Sequence, residues 1–289
     1  IKLENMDYDA FSQIAYGDEA AVRIHKYEEL FRKGNAIYGQ LPEAEKDAFF
    51  QLVLMRIHAA YFTNCQFYYG DRSTLCVKQG KMQAARLYTR KSMEYDDARR
   101  KMLHYYNKTM SGGKWDGILN PEGFPPPRAA MMPVCTPPLE IGERRMLITV
   151  WNGEDSLSFV KRGEKWIEIG NAGHGELEFS IYAPEWLSVS ETSGRVGSEK
   201  RILLSPKCFD RDRQGEMVVI DRTEGEEVRI PVCIRIFPSD CPNTEDGGII
   251  SVEADTAVSP GFRVIRRLGR CRGNLVEAAA DRQQREGGR

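Results

Sequence analysis

The apolar positions along the chain change period near residue 120. Before that point they recur every three or four residues, the spacing of helices with one face turned to a core; after it they alternate in short runs separated by glycine, the spacing of strands. Three helices are predicted in the first part. The first runs from Asp18, a residue suited to an N-cap, to about Gly39, with Val22, the stem of Lys26, Leu30 and Ile37 on its packed side. The second follows Leu41-Pro42-Glu43, where proline fits a first turn and Glu43 and Glu45 sit at the positive end of the helix dipole. Its apolar residues form two adjacent stripes, Ala48, Leu52, Met55, Ala59 and Phe62 beside Phe49, Val53, Ile57 and Ala60, which predicts a helix central in a bundle. Tyr69-Gly70-Asp71-Arg72-Ser73 reads as a turn. The third helix then runs from about Lys78 to Met110, with Tyr95, Ala98, Met102, Tyr105 or Tyr106, and Met110 on one face.

Residues 121–138 hold seven of the fourteen prolines, so this stretch is an extended connector and neither helix nor central strand. Beyond it, strands are predicted at 145–152, 166–169, 176–181, 186–190, 201–205, 217–221 and 227–237. The last of them alternates strictly, with Val228, Ile230, Val232, Ile234 and Ile236 on one side. Seven short strands with frequent turns predict a β-sandwich. The expected fold is α then β. It comprises a helical bundle (1–120), a proline-rich linker (121–142), an immunoglobulin-like β-sandwich (143–238), and a linker with the start of a truncated further β domain (239–289).

Composition narrows the function. Lys and Arg number 41 against 42 Asp and Glu, a net charge of −1, so no nucleic-acid partner is expected. Hydrophobic residues are 41%, enough to fill cores, and no apolar run reaches the ~18 residues of a membrane span. Residues 262–289 hold eight Arg and no Lys; a truncated domain edge or unrelated terminal sequence is favoured there over a nucleic-acid arm. The opening Ile1-Lys2-Leu3-Glu4-Asn5 does not read as a signal peptide, which leaves a removed leader or an internal piece of something longer. Seven dispersed cysteines and four scattered histidines show no zinc-type spacing, and no metal or cofactor is expected. Most of the cysteines read as buried thiols, with Cys65 and Cys76 the pair left open for a disulfide.

No catalytic set stands above background. Nucleophile-elbow and phosphate-loop motifs are missing. Asp210-x-Asp212 lacks the rest of a calcium loop and reads as a polar turn. Glu94, Asp96 and Asp97 are the acids that paired-carboxylate hydrolysis would call on, but among Arg90, Lys91, Arg99 and Arg100 they read as solvated ion pairs. His58 and His104 read as core or boundary histidines. Trp151, Trp166 and Trp186 read as core packing in preference to sugar-stacking platforms.

The runs Asp47-Ala48-Phe49-Phe50-Gln51-Leu52-Val53-Leu54 and Tyr105-Tyr106-Asn107-Lys108 through Gly112-Gly113-Lys114-Trp115 resemble glycoside hydrolase family 115, the xylan α-1,2-glucuronidases. Met132-Pro133, Trp166-Ile167-Glu168-Ile169-Gly170-Asn171, the segment from Pro184 to Gly194, and the runs beginning at Gly248 and Val264 extend the likeness in family order over about 18–272. Residues 116–124 differ from the Gln-Thr-His-Ile-Gly-Tyr-like run usual there and bring no His. The resemblance implies an accessory part of an enzyme that releases glucuronic or 4-O-methylglucuronic acid from xylan. Its catalytic carboxylates would lie on a barrel upstream in the same polypeptide, and none would lie here. It further implies Trp115 as a substrate contact, inter-subunit contacts such as a homodimer, and an extracellular or periplasmic location. The rival reading is a carbohydrate- or protein-binding immunoglobulin-like module without catalysis.

Overall fold

The computed structural model describes residues 12–15, 18–119, 141–237 and 246. The prolines of the linker, the arginine-rich tail and all of the further β domain but residue 246 lie outside them. Helix α1 spans Glu19–Gln40 and begins as expected at Asp18, whose carboxylate accepts the Ala21 N–H at 2.9 Å. Helix α2 (Glu43–Phe49) leads through a π-helical turn, Phe50–Leu54, straight into α3 (Met55–Lys78). Helix α4 (Met82–His104) ends in a second π turn, Tyr105–Thr109, and a short 3-10 turn.

The expected turn at Tyr69–Ser73 is absent: α3 runs unbroken through it, and the chain reverses instead at Gln79-Gly80-Lys81, with Gly80 at φ 79°. Polarity misled the pattern here. Gly70, Arg72 and Ser73 are buried, and Ser73 Oγ donates to the Ala85 carbonyl at 2.9 Å across the α3–α4 contact, while Ser92 Oγ donates to that of Gln66 at 2.8 Å. Small and polar side chains that satisfy one another let the two helices close up.

A second correction concerns α1. Val22, Leu30 and Ile37 are each 50% exposed. The packed side carries Ala20, Phe31 and Gly34, with Tyr38 partly covered. Phe31 meets Tyr61 at 4.7 Å between ring centroids. A Cβ on Gly34 would sit 3.0 Å from Leu54 and 3.1 Å from Ile57. Glycine sets the approach of α1, and an aromatic face fills it better than the aliphatic one. The π turn likewise shifts register, so that Phe50 and Leu54 enter the core while Leu52 and Val53 stay exposed. Phe50, Leu54, Met102, Tyr106 and Met110 form the main core of the bundle, and α3 is the central helix, packing on both α1 and α4.

Nine strands follow among the described residues: β1 (Met146–Val150), β2 (Leu157–Phe159), β3 (Lys165–Asn171), β4 (Leu177–Tyr182), β5 (Leu187–Val189), β6 (Ser193–Val196), β7 (Glu199–Pro206), β8 (Arg213–Asp221) and β9 (Glu227–Ile234). They form two sheets, β1-β3-β7-β5 and β2-β9-β8-β4-β6, antiparallel except for the β2–β9 pair. All seven expected strands are present. The two extra ones, β2 and β6, are three and four residues long, too short for alternation to register. Phe159, Ile167, Ile169, Phe179, Ile202, Met217 and Val219 fill the space between the sheets. The described helices and strands all belong to one compact unit.

The corrected helix faces predict unequal costs. Leu54→Ala, at a 1% exposed site, destabilises by about 2–5 kcal/mol, whereas Leu30→Ala changes stability by less than about 0.5 kcal/mol, measured by urea unfolding.

Candidate functional site

Every residue of β3 is buried. Alternation sends Ile167 and Ile169 into the sandwich core, which leaves Trp166, Glu168 and Gly170 on the opposite face, under the helices. Register aligns Thr149 of β1, Glu168 of β3 and Arg201 of β7 in one row across that face, and Gly170 with Glu199 in the next. Onto these rows α3 lowers Arg72 and Cys76, the α3–α4 turn lowers Lys81, and α4 lowers Tyr88.

The result is a closed ionic network. Arg72 binds Glu168, and reaches Glu199 Oε1 through Nη2 at 2.5 Å and Nε at 3.0 Å. Lys81 Nζ lies 2.5 Å from Glu168 Oε1, 3.5 Å from Glu199 Oε2 and 3.2 Å from Thr149 Oγ1. Tyr88 Oη donates to Glu199 Oε1 at 2.6 Å. Arg201 Nε donates to Glu168 Oε2 at 3.0 Å, and its Nη1 binds Asp18. Side-chain exposure is 0% for Lys81, 2% for Glu168, 4% for Arg72 and 5% for Glu199. Three cations thus face three carboxylates, and all but Arg201, 26% exposed, are shut away from water.

Burial alone would push the Glu168 carboxyl up, but Arg72, Lys81 and Arg201 outweigh it and hold it well below the usual carboxylate range. Against the opposing effect of burial, Glu168 and Glu199 raise Arg72, and Asp18 ahead of Glu168 raises Arg201. Burial first and the Glu199 charge second push the Tyr88 hydroxyl and the Cys76 thiol up, so both stay protonated. A general acid needs a carboxyl that keeps its proton near neutral pH and a path to substrate. Glu168 has neither. The two carboxylates that the fold sets side by side act as a clamp.

Backbone fits the clamp as well. A Cβ on Gly170 would lie 2.5 Å from Lys81 Cε and 2.7 Å from Cδ, and Lys81 is held at its tip and has no room to yield. Asp18 adopts φ 62°, a left-handed conformation disfavoured without glycine, while one carboxylate oxygen caps α1 and the other takes Arg201. The strap at 12–15 crosses the same seam: Gln13 Nε2 donates to the Tyr68 carbonyl at 3.0 Å, Arg201 Nη2 to the Gln13 carbonyl at 3.2 Å, and Asn152 N–H to the Ile14 carbonyl at 3.2 Å.

The residues singled out from sequence lie elsewhere or play other parts. Trp115 is half-buried, packs with Leu119 on the bundle core, and has Lys114 Nζ 5.0 Å above its ring. Trp166 is buried on the bundle side of β3, outside the inter-sheet core, between the Arg201 guanidinium at 4.2 Å and Trp151 at 5.8 Å. Trp151 and Trp186 pack partly covered against the sandwich core. His58 is wedged among Phe31, Phe50 and Phe62, bonds Asn35 Oδ1 at 3.1 Å, and burial lowers its pKa; His104 is exposed. Asp97 makes the expected solvated pair, with Lys101 at 2.7 Å, but Asp96 is buried and holds Arg99, Arg100 and Gln66. Asp210 pairs with Arg213, and Asp212 accepts the Ile236 N–H. Cys65 and Cys76 are free, for both sit on α3 eleven residues apart, about 16 Å along the axis, beyond the ~7 Å reach of a disulfide. Arg72, Lys81, Glu199 and Arg201 carried no signal in the sequence beyond being charged residues beside apolar ones.

No family model matches the sequence, and no curated protein does. Among solved structures, a family GH115 4-O-methyl-α-glucuronidase with specificity for decorated arabinogalactans is 14% identical, with a TM-score of 0.31, over 65% of this chain and 31% of its own. A Bacteroides ovatus GH5 xyloglucanase is 18% identical, with a TM-score of 0.25, over 32% of this chain and 19% of its own. The ASH/PapD-like domain of human CEP192 is 11% identical, with a TM-score of 0.26, over 32% of this chain and 86% of its own. The chain therefore spans less than a third of either hydrolase.

Glu168→Gln leaves buried cations underneutralised and lowers stability by about 3–5 kcal/mol at neutral pH. Because the folded pKa lies below the ordinary 4.5, the carboxylate's contribution is fully present above that pH and fades as pH falls toward the folded value. The gap between wild type and variant in urea titrations shrinks on acidification; a pH-independent gap contradicts this account. Gly170→Ala destabilises by about 1–3 kcal/mol, and Lys81→Ala in the same chain removes that penalty.

Proposed function

We propose that this chain is the framework portion of a glycoside hydrolase resembling the xylan α-1,2-glucuronidases, supporting a catalytic barrel carried upstream in the same polypeptide. The observation that carries this reading is the use of Glu168 and Glu199. The paired acids are shut from solvent and committed to joining bundle to sandwich. The quoted residue likenesses, which run in order through both parts, supply the family. The half-exposed Val22, Leu30 and Ile37 on α1 supply an apolar face of the kind a neighbouring domain covers. In the same reading Trp115, half-exposed beside Lys114, is the side chain that reaches a glucuronosyl-bearing substrate, and the assembled enzyme works outside the cytoplasm, with a second copy as a further partner.

The test compares the 289-residue chain with a polypeptide extended upstream, each incubated with aldouronic oligosaccharides. Release of uronic acid is expected only from the longer polypeptide, with KM raised by Trp115→Ala. Turnover by the 289-residue chain alone refutes the framework role.

A further inference from the structure

A depression opens on the sandwich where the chain crosses from β4 in one sheet to β5 in the other. Its volume is about 400 Å³, within the ~300–1,000 Å³ usual for small-ligand sites. Ile181 and Leu187 form a buried apolar floor. Tyr182 stands at the rim, 60% exposed, and Glu185, Ser188, Thr192 and Lys207 bring polar side chains to the walls.

The walls are held in place before any ligand arrives. The Leu187 N–H donates to the Pro184 carbonyl at 2.9 Å, the Lys207 N–H to that of Trp186 at 2.8 Å, and the Ile181 N–H to that of Thr192 at 2.7 Å. Trp186 is seated on the sandwich core. Pro184 lies so close over Gly215 that a Cβ there would come within 2.6 Å of its Cγ. A rigid site loses little conformational freedom on binding.

We propose that this depression binds a neutral oligosaccharide, with the Tyr182 ring against one sugar face. An exposed aromatic ring matches the C–H face of a pyranose. The hydroxyls around that sugar require both donors and acceptors: Ser188 and Thr192 serve as either, Glu185 accepts and Lys207 donates. One carboxylate and one ammonium cancel, so an ionised ligand finds no net attraction. Apolar ligands match the floor and leave the polar walls without partners. Neither an upstream barrel nor Trp115 is required for this binding.

The full 289-residue chain is titrated with xylohexaose, cellohexaose and mannohexaose, and with a glucuronic-acid-bearing xylo-oligosaccharide, at millimolar concentrations, followed by calorimetry and amide NMR. Saturable binding of at least one neutral hexaose is expected, with shifts centred on Tyr182, Thr192 and Lys207 and little salt dependence. Tyr182→Ala weakens it about tenfold with the unfolding midpoint unchanged, while Trp115→Ala leaves it intact. Failure of all three neutral probes to saturate overturns the proposal. So does wild-type affinity in Tyr182→Ala, or a preference for the acidic probe that Lys207→Ala abolishes. None of these outcomes bears on hydrolysis by a longer polypeptide, so the two readings fail separately.

Discussion

The position of the helices on the strands depends on six charges gathered in one seam, of which Arg201 alone keeps partial access to water. An isolated carboxylate or ammonium in a protein interior costs several kcal/mol of lost hydration, and only close opposite charges offset it. Glu168 sits within bonding reach of Arg72, Lys81 and Arg201 at once, so displacing the bundle by even a few ångströms would strand charges on both surfaces. Apolar packing tolerates sliding because it has no direction; this network does not. It defines one mutual arrangement of two layers that could each have packed in several ways.

Other features are adjusted to that arrangement. Gly170 removes a side chain so that the Lys81 stem can pass β3. Asp18 accepts an unfavourable backbone conformation because it both caps α1 and neutralises Arg201. Trp166, in a strand that could have placed it in the core, instead lies under the Arg201 guanidinium. β3 consequently serves two interiors, the inter-sheet core on one face and the ionic seam on the other. That explains how a strand containing Lys165, Trp166 and Glu168 is buried along its whole length.

The clamp also bears on chemistry. Side-by-side carboxylates are a common starting point for hydrolytic sites, where unequal surroundings keep one protonated and leave the other ionised. Here three cations act on Glu168 and hold it ionised, and the groups around Glu199 fill the volume that a substrate would need. The open depression beside Tyr182 differs in each respect: it is solvent-facing, mixed in polarity and built on backbone hydrogen bonds that do not involve the clamp.

Periodicity by itself determined where the helices and the longer strands lie, because turning a face toward a core requires apolar residues at 3.6- or 2-residue spacing wherever that core comes from. The Asp18 cap and the alternation of Ile230, Val232 and Ile234 were legible for the same local reason. Tertiary structure alone decided which face of α1 is covered, since Gly34 and Phe31 fit against α3 while Leu30 and Ile37 do not. It also decided whether Arg72 and Ser73 end a helix or sit inside one. A polar side chain has the same appearance in sequence whether it meets water or a partner supplied from far along the chain. Glu168 and Arg72 are 96 residues apart, and nothing local to either announces the other.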